Sequence, residues 1–523
     1  MAGTASLRSD PPREAGSEAD ERPAALARFL AEASGANAVE VAGLAPLRGG
    51  AIQENWALDA HFSGGLLAGD QRLVLRTAAP TGVASSLDRL QEFAVLKAAF
   101  AAQVTVPEPL FASDDTAVFG KAFFIMRRVD GIAAAHRITR DPILDPALPA
   151  IAERLGRELA RIHTIRPPRP DLAFLRAYEE GGPAQQIAGF RAYLQDHPTP
   201  RPVLEWGIRW LETHIPQPTK PVLCHHDFRT GNYMLDGAKL TGILDWEFAG
   251  WGDPHEDIGW FCCKGWRFAR LDREAGGIAD RAALYRGYES ESAQPIDPER
   301  VFFWEVLASV RWAVIALQQS DRYMIAGECN LDLALTGRRA TECELEVLML
   351  LDPRRAPSSR PPASPKAVEC HQMRDLPTGK SLLALARDVL LNDLMQHLPA
   401  EKRLDALLVA NSMAIAEREA VAGQGWAQEI IRDLEVFYAS EMRQPTSAGT
   451  RAPEGRTAED GVEQRATGEG EHELPRRFAR DLRGGVFEGF DARERNAREI
   501  LWRLTVAKLR QANPRFLAAN GFS

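Results

Sequence analysis

Residues 221–245 constrain the fold more than any other stretch, because they dictate a strand, a polar loop and a hairpin in immediate succession. Pro221-Val222-Leu223-Cys224 is short, apolar and preceded by Pro218, which reads as a strand delivering residues 225–232 as a loop. Reactive side chains usually sit on such loops. Residues 233–235 and 240–244 flank Asp236-Gly237, a hairpin signature whose loop can extend through Ala238 and Lys239. A hairpin here folds Asp245 back toward Asn232.

The loop carries His225, His226, Asp227 and Asn232. Phosphoryl transfer to a hydroxyl needs a carboxylate to hold and deprotonate the acceptor, plus oxygen ligands that fix Mg2+ on a triphosphate. Asp227, Asn232 and Asp245 supply those parts. Two oxygen ligands carrying one charge suit Mg2+, which keeps several waters and takes further ligands from phosphates. An isolated H-x-D-x4-N match is more often an ordinary polar loop. Here it is joined by Asp245 and by a second acidic cluster, Asp253, Glu256 and Asp257.

The run from His225 to Trp260, HxDFRTGN followed by LDWEFAxWGDPxEDxGW, resembles the aminoglycoside phosphotransferase family. Within that family it is most similar to the branch that includes kinase domains attached to some acyl-CoA dehydrogenases. The resemblance implies an α+β chain, a two-lobed protein-kinase-like fold followed by a small all-α domain. It also implies Asp227 as catalytic base, His225 as the residue orienting its loop, Asn232 and Asp245 as metal ligands, and Asp257 as a brace for the loop. His226 departs from the family, most of whose members carry Gly there, so a bulky ring occupies a backbone position that suits Gly.

The nucleotide side should lie upstream. Gly49 and Gly50 fall in a turn between two expected strands, where backbone can approach phosphate closely. Residues 72–76 read as a strand ending in Arg76, where a kinase places the cation that holds the α and β phosphates. Arg keeps the charge of the usual Lys and broadens the geometry. Residues 90–100 have helical spacing, and the resemblance implies that Glu92, otherwise a solvated surface residue, points toward Arg76. Residues 122–126 form a strand leading into 127–131, which in the family is the hinge whose backbone bonds adenine. Met126 and Arg128 flank it as cofactor-binding candidates. ATP and Mg2+ are the expected cofactors.

Ile151, Leu155, Leu159 and Ile162 recur at helical intervals before His163, similar to the family's LGxxLAxLH helix. Residues 301–317 are apolar with Glu305 and Arg311 their only charges, which suits a buried helix better than a membrane span. Residues 1–19 lack the apolar core of a signal peptide. The net charge of -9 gives no reason to expect nucleic acid, and six cysteines without a paired framework suit a cytoplasmic protein. Adjacent Cys262 and Cys263 cannot easily ligate one tetrahedral ion.

The expected organisation is a flexible tail over 1–22, a kinase-like N-terminal lobe over 23–128 and a C-terminal lobe over 129–352. A Pro-rich linker spans 353–370, a helical domain 371–442, a disordered segment 443–475 and a final helical segment 476–523. Amphipathic stretches at 381–398, 404–415 and 427–438 would bury their stripes on one another as a small bundle. This C-terminal part resembles an uncharacterised domain family found beside phosphotransferases of the same branch, which suggests a regulatory or substrate-handling role; it is also the expected place for a protein partner or dimer contact.

The expected function is an ATP-dependent O-phosphotransferase acting on a hydroxyl of a small molecule, such as a hydroxyacyl-CoA, without membrane or nucleic-acid partners. Two alternatives use the same residues. One is a nucleotide-binding pseudokinase whose helical domain recruits a partner; the other is a metal-dependent hydrolase built on His225, His226 and Asp227.

Overall fold

The computed structural model describes residues 18–47, 53–78, 86–178, 182–353, 379–423, 425–439, 473–489 and 491–522. They divide into two compact units. One comprises Met1–Glu180, Thr219–Phe261 and Ile278–Ile296, the other Gly181–Pro218, Cys262–Gly277 and Asp297–Ser523.

The first unit is built on an antiparallel sheet of β1 (Ala38–Leu47), β2 (Gln53–Ser63), β3 (Gly69–Ala78), β4 (Pro109–Ser113) and β5 (Phe123–Arg127), in the order β1-β2-β3-β5-β4. Leu58, Ala60 and Phe62 are buried while His61 and Ser63 are exposed, the period-2 signature of a strand with one covered face. Against that face pack Leu26 and Leu30 of helix Glu18–Ser34, together with Leu73, Leu75 and Phe123. This helix begins inside the stretch expected as a tail, since its two leucines can reach the sheet only from a helical turn.

Central β3 is buried on both faces from Leu73 to Thr77. Strand alternation therefore sends Val74 and Arg76 to the face opposite Leu73 and Leu75. Helix Arg89–Ala101 covers that second face, with Phe93 against Phe124 at 5.8 Å between ring centroids. A capping box between Asp88 and Gln91 fixes where this helix starts. Gly49 and Gly50 lie outside the described residues, between Leu47 and Asn55, which pair across β1 and β2.

Further along the same unit, β6 (Val222–Cys224) pairs with β9 (Gly250–Gly252), and β7 (Tyr233–Asp236) with β8 (Lys239–Ile243). The second pair closes on Asp236 and Lys239, so its turn is Gly237-Ala238, with Gly237 at φ +55°. Helix Leu148–Ile162 is buried through Ile151, Leu155, Leu159 and Ile162, the positions that recur in the sequence.

The second unit is all helical in its core. Leu204 and Ile208 from helix Pro202–Thr213, Leu307 and Val310 from Pro298–Met324, and Leu345 from Ala340–Leu351 share one cluster with Leu434, Phe478, Leu501 and Leu517. The C-terminal helices Gly425–Ala439, Glu473–Arg483 and Asp491–Ala512 thus join a larger core, and the expected self-contained three-helix bundle does not form. Pro298–Met324 is long and apolar enough to cross a membrane by composition, yet 72% of its most apolar window is buried. The expected linker from 354 onward and the expected disordered segment up to 472 lie outside the described residues.

Candidate active site

The loop that follows β6 is held by its backbone. Asp257, in helix Pro254–Cys262, is fully buried and accepts hydrogen bonds from the amides of His225 and His226, each at 2.8 Å. His163 meets the same carboxylate at 3.2 Å and Tyr288 at 2.9 Å through its other ring nitrogen. Burial alone would raise the Asp257 pKa, but its hydrogen bond and charge interaction with His163, with smaller contributions from the other two histidines, bring it down to about 2. His163, Cys224 and Asp257 come within 4.8 Å of one another, a spacing that can hold a metal ion. Their polar atoms are already engaged, since the Cys224 thiol donates to the Asp253 carbonyl and burial pushes its pKa well up. The cluster is a hydrogen-bonded brace.

His225 is fully buried with Nε2 at 2.9 Å from the Leu244 carbonyl, its Nδ1 accepts from the Asp227 amide at 3.3 Å, and its ring lies 4.7 Å from that of Trp246. It ties the loop to the end of β8. His226 stands at φ +61°, the left-handed geometry that Gly adopts freely. Its Nδ1 lies 3.0 Å from the Phe248 carbonyl and its Nε2 3.5 Å from Glu256. The ring rests over β9, where a side chain on Gly252 would come within 2.8 Å of His226 Nε2 and of Cys224 Sγ. The two glycines of β9 make the room that the histidine needs. The side chains of His225, His226 and Asp227 therefore diverge, and the hydrolase alternative has no common ligand point.

Asp227 is the convergence of the site. Asn232 Nδ2 donates to its Oδ2 at 2.6 Å, Trp260 Nε1 to its Oδ1 at 3.0 Å, and Arg229 Nε to both oxygens at 3.1 and 3.2 Å. Sequence reasoning groups Trp260 with Trp246, Trp251 and Trp266 as core or, less often, pocket wall, and it misses Arg229. Trp260 follows Asp257 by three residues on one helix, so both side chains reach the same loop. That spacing is the signal that distinguishes it from the purely buried tryptophans.

Asp245 is brought alongside by the Leu244 amide, which donates to the Asn232 carbonyl at 2.8 Å. It stands at φ +66°, and Arg76 Nη2 reaches its Oδ1 at 2.6 Å. The same guanidinium holds Glu92 at 3.0 Å through Nε, and Glu92 also pairs with Arg89. Burial would lower the Arg76 pKa, but Glu92 and Asp245 outweigh it and hold it above the ordinary arginine range. Burial would likewise raise that of Asp245, and Arg76 brings it down. Both groups are charged at neutral pH. Asp227, Asn232, Asp245, Arg76 and Glu92 thus form one connected set.

Met126 and Arg128 sit apart from that set. Met126 pairs with Val74 in the sheet, while the Arg128 guanidinium is committed to Asp59 and its amide to the Arg72 carbonyl at 2.9 Å. A buried Arg–Glu pair beneath an antiparallel sheet and a carboxylate loop braced by a buried aspartate define a kinase-like phosphotransferase. Residues 43–293 match the model of the phosphotransferase enzyme family, to which this part of the chain is similar. The chain is 30% identical to acyl-CoA dehydrogenase family member 10 of Mus musculus over 203 residues, which is 37% of this chain and 18% of that protein. It is 33% identical to acyl-CoA dehydrogenase family member 11 of Gallus gallus over 208 residues, 37% of this chain and 25% of that protein. The matches thus span a quarter or less of these relatives' own length.

Among solved structures, a putative aminoglycoside phosphotransferase from Ralstonia eutropha JMP134 aligns with 22% identity over 62% of this chain and 96% of its own, at a TM-score of 0.48. The aminoglycoside phosphotransferase APH(4)-Ia in complex with ADP and hygromycin B aligns with 17% identity over 61% of this chain and 98% of its own, at 0.41.

Proposed function

We propose that this chain is an ATP- and Mg2+-dependent O-phosphotransferase acting on a hydroxyl of a small metabolite, with Asp227 as the base. The observation that carries the reading is the Asp227 carboxylate, oriented by donors from Asn232, Trp260 and Arg229 and set beside the Asn232–Asp245 pair. Asn232 turns its amide nitrogen to Asp227, which leaves its oxygen on the other side of the carboxamide. With the Asp245 carboxylate that is a hard-oxygen donor set, and it fits Mg2+. When bound, the ion neutralises charge on the phosphates of the nucleotide.

The chain's own residues do the rest. Asp227 takes the proton from the acceptor hydroxyl as its oxygen bonds to the γ-phosphorus and the bond to the β-phosphate oxygen breaks. Arg76, fixed by Glu92, offers its positive charge to the phosphates, and Arg229, paired with Asp227, adds a second positive charge beside the base. Trp260 and Asn232 keep the carboxylate in one rotamer, so the acceptor meets a preformed base.

Relatives named as acyl-CoA dehydrogenase family members support a hydroxyacyl-CoA, or a related hydroxy acid, as the acceptor class to test first. The experiment is an ATP-dependent mass gain of one phosphoryl group across a panel of hydroxyacyl-CoAs, hydroxy acids, amino alcohols and aminoglycosides. Transfer to a hydroxyacyl-CoA supports the full reading. Mg-ATP binding with no transfer to any acceptor supports the pseudokinase alternative.

A further inference from the structure

In the second unit, helix Gly379–Val389 runs through a π turn at Leu390–Leu394 into Met395–His397, and helix Arg403–Ala422 returns alongside it. None of residues 380–405, all of them described, is buried. Yet Leu382, Leu385, Val389, Leu391, Leu394, Leu404 and Leu407 are between 37% and 64% exposed. Helices of this length draw their stability from packing an apolar face, not from propensity. In this first helix none of the described side chains is buried, so the described residues leave that face uncovered.

We propose that this hairpin is a homodimer surface, covered by the same hairpin of a second copy as a two-fold four-helix arrangement. The size fits: the seven side chains leave exposed the equivalent of between three and four whole ones, roughly 350 Å2 of apolar surface per copy at ~100 Å2 each. With the polar share usual at interfaces, that becomes about 600 Å2 per partner, near the lower end for a stable pair. The charges fit as well. Residues 380–405 hold Lys380, Arg387, Lys402 and Arg403 against Asp388, Asp393, Glu401 and Asp405, a net charge of zero apart from His397. A helix that lies on anionic lipid would instead carry an excess of Lys and Arg.

Along the first helix the basic residues come early and the acidic ones late. Antiparallel pairing about a two-fold between Ala386 and Arg387 sets Lys380 opposite Asp393 and Leu382 opposite Leu391, so the surface is complementary to itself.

Sedimentation velocity on the full chain across micromolar concentrations tests this, with far-UV circular dichroism to report folding. The wild type should be a dimer. Leu385→Glu combined with Leu394→Glu should give a monomer with an unchanged helical spectrum. Lys380→Asp or Asp393→Lys alone should each weaken the dimer roughly 10-fold, since each turns two attractive pairs repulsive, and the two together should restore it. A monomeric wild type overturns the proposal, and so does a dimer that survives the double glutamate variant. Charge reversals that fail to rescue each other overturn it too, as does a monomer that binds neutral or anionic vesicles through these leucines.

Discussion

Gly252→Ala should destabilise the first unit, and by an amount that depends on His226. A methyl group there would sit 2.8 Å from Cys224 Sγ, 2.8 Å from His226 Nε2 and 3.2 Å from Cys224 Cβ. Comfortable carbon contacts lie near ~3.5–4 Å, so the neighbours must give by well over half an ångström. Gly252 cannot retreat without breaking its pairing with Val222, and Cys224 is fully buried. Overpacking of this kind costs about 2–3 kcal/mol. His226 supplies one of the two closest contacts, so removing its ring with His226→Gly should reduce the penalty by ~1 kcal/mol.

His226→Gly alone should be nearly neutral. It relieves a left-handed non-Gly backbone worth roughly 1 kcal/mol and loses a hydrogen bond of similar net value to the Phe248 carbonyl. Calorimetry should show Gly252→Ala lowering the melting temperature of this unit by roughly 5–10 °C in the wild type and by about 3 °C less in the His226→Gly background. Equal shifts in both backgrounds, or a wild-type shift under ~1 °C, would refute the packing argument.

Trp260→Phe keeps an aromatic ring but removes the donor to Asp227. It should lower kcat roughly 10-fold while leaving the KM for ATP unchanged, and a purely structural tryptophan would move neither or both. Asp257, held at about 2 against an ordinary 3.8, contributes stability that is present above pH ~4 and lost as pH falls toward 2, worth ~2 kcal/mol. Asp257→Asn should abolish that acid limb and cost about 3–5 kcal/mol at neutral pH, because a buried partner of two amides and His163 is lost; urea unfolding at several pH values reads both. In the second unit, burial pushes the Glu346 carboxyl from 4.5 up to about 7. The folded state then binds its proton more tightly, so stability declines as pH rises from about 4.5 to 7, and Glu346→Gln should flatten that decline in denaturation midpoints measured from pH 5 to 8.

The strand, loop and hairpin at 221–245 were legible because three local signals coincide there: an apolar run, a polar loop and Asp236-Gly237. Arg76 and Glu92 were legible through the family resemblance, which places a cation at the end of this strand and an acid on the helix that follows. The bond from Trp260 to Asp227 was not, since a tryptophan in an apolar helix reads mainly as core until its indole nitrogen has a partner, and that partner is 33 residues away. The room made for His226 was equally hidden, because it depends on Gly250 and Gly252 in a strand that pairs back onto β6. The C-terminal helices carry clear stripes, but a stripe does not say which surface it meets. Phe478 and Leu501 meet helices that precede them by well over a hundred residues, whereas Leu385 meets nothing among the described residues that buries it.

The most direct test compares wild type with Asp227→Ala for transfer of the γ-phosphoryl group to a saturating acceptor, with Mg-ATP binding measured in parallel. Transfer should fall by ~10²-fold or more while nucleotide affinity stays within a few-fold, since Asp227 acts on the acceptor and not on the nucleotide. Undiminished turnover in Asp227→Ala would contradict the assignment of this carboxylate as the base.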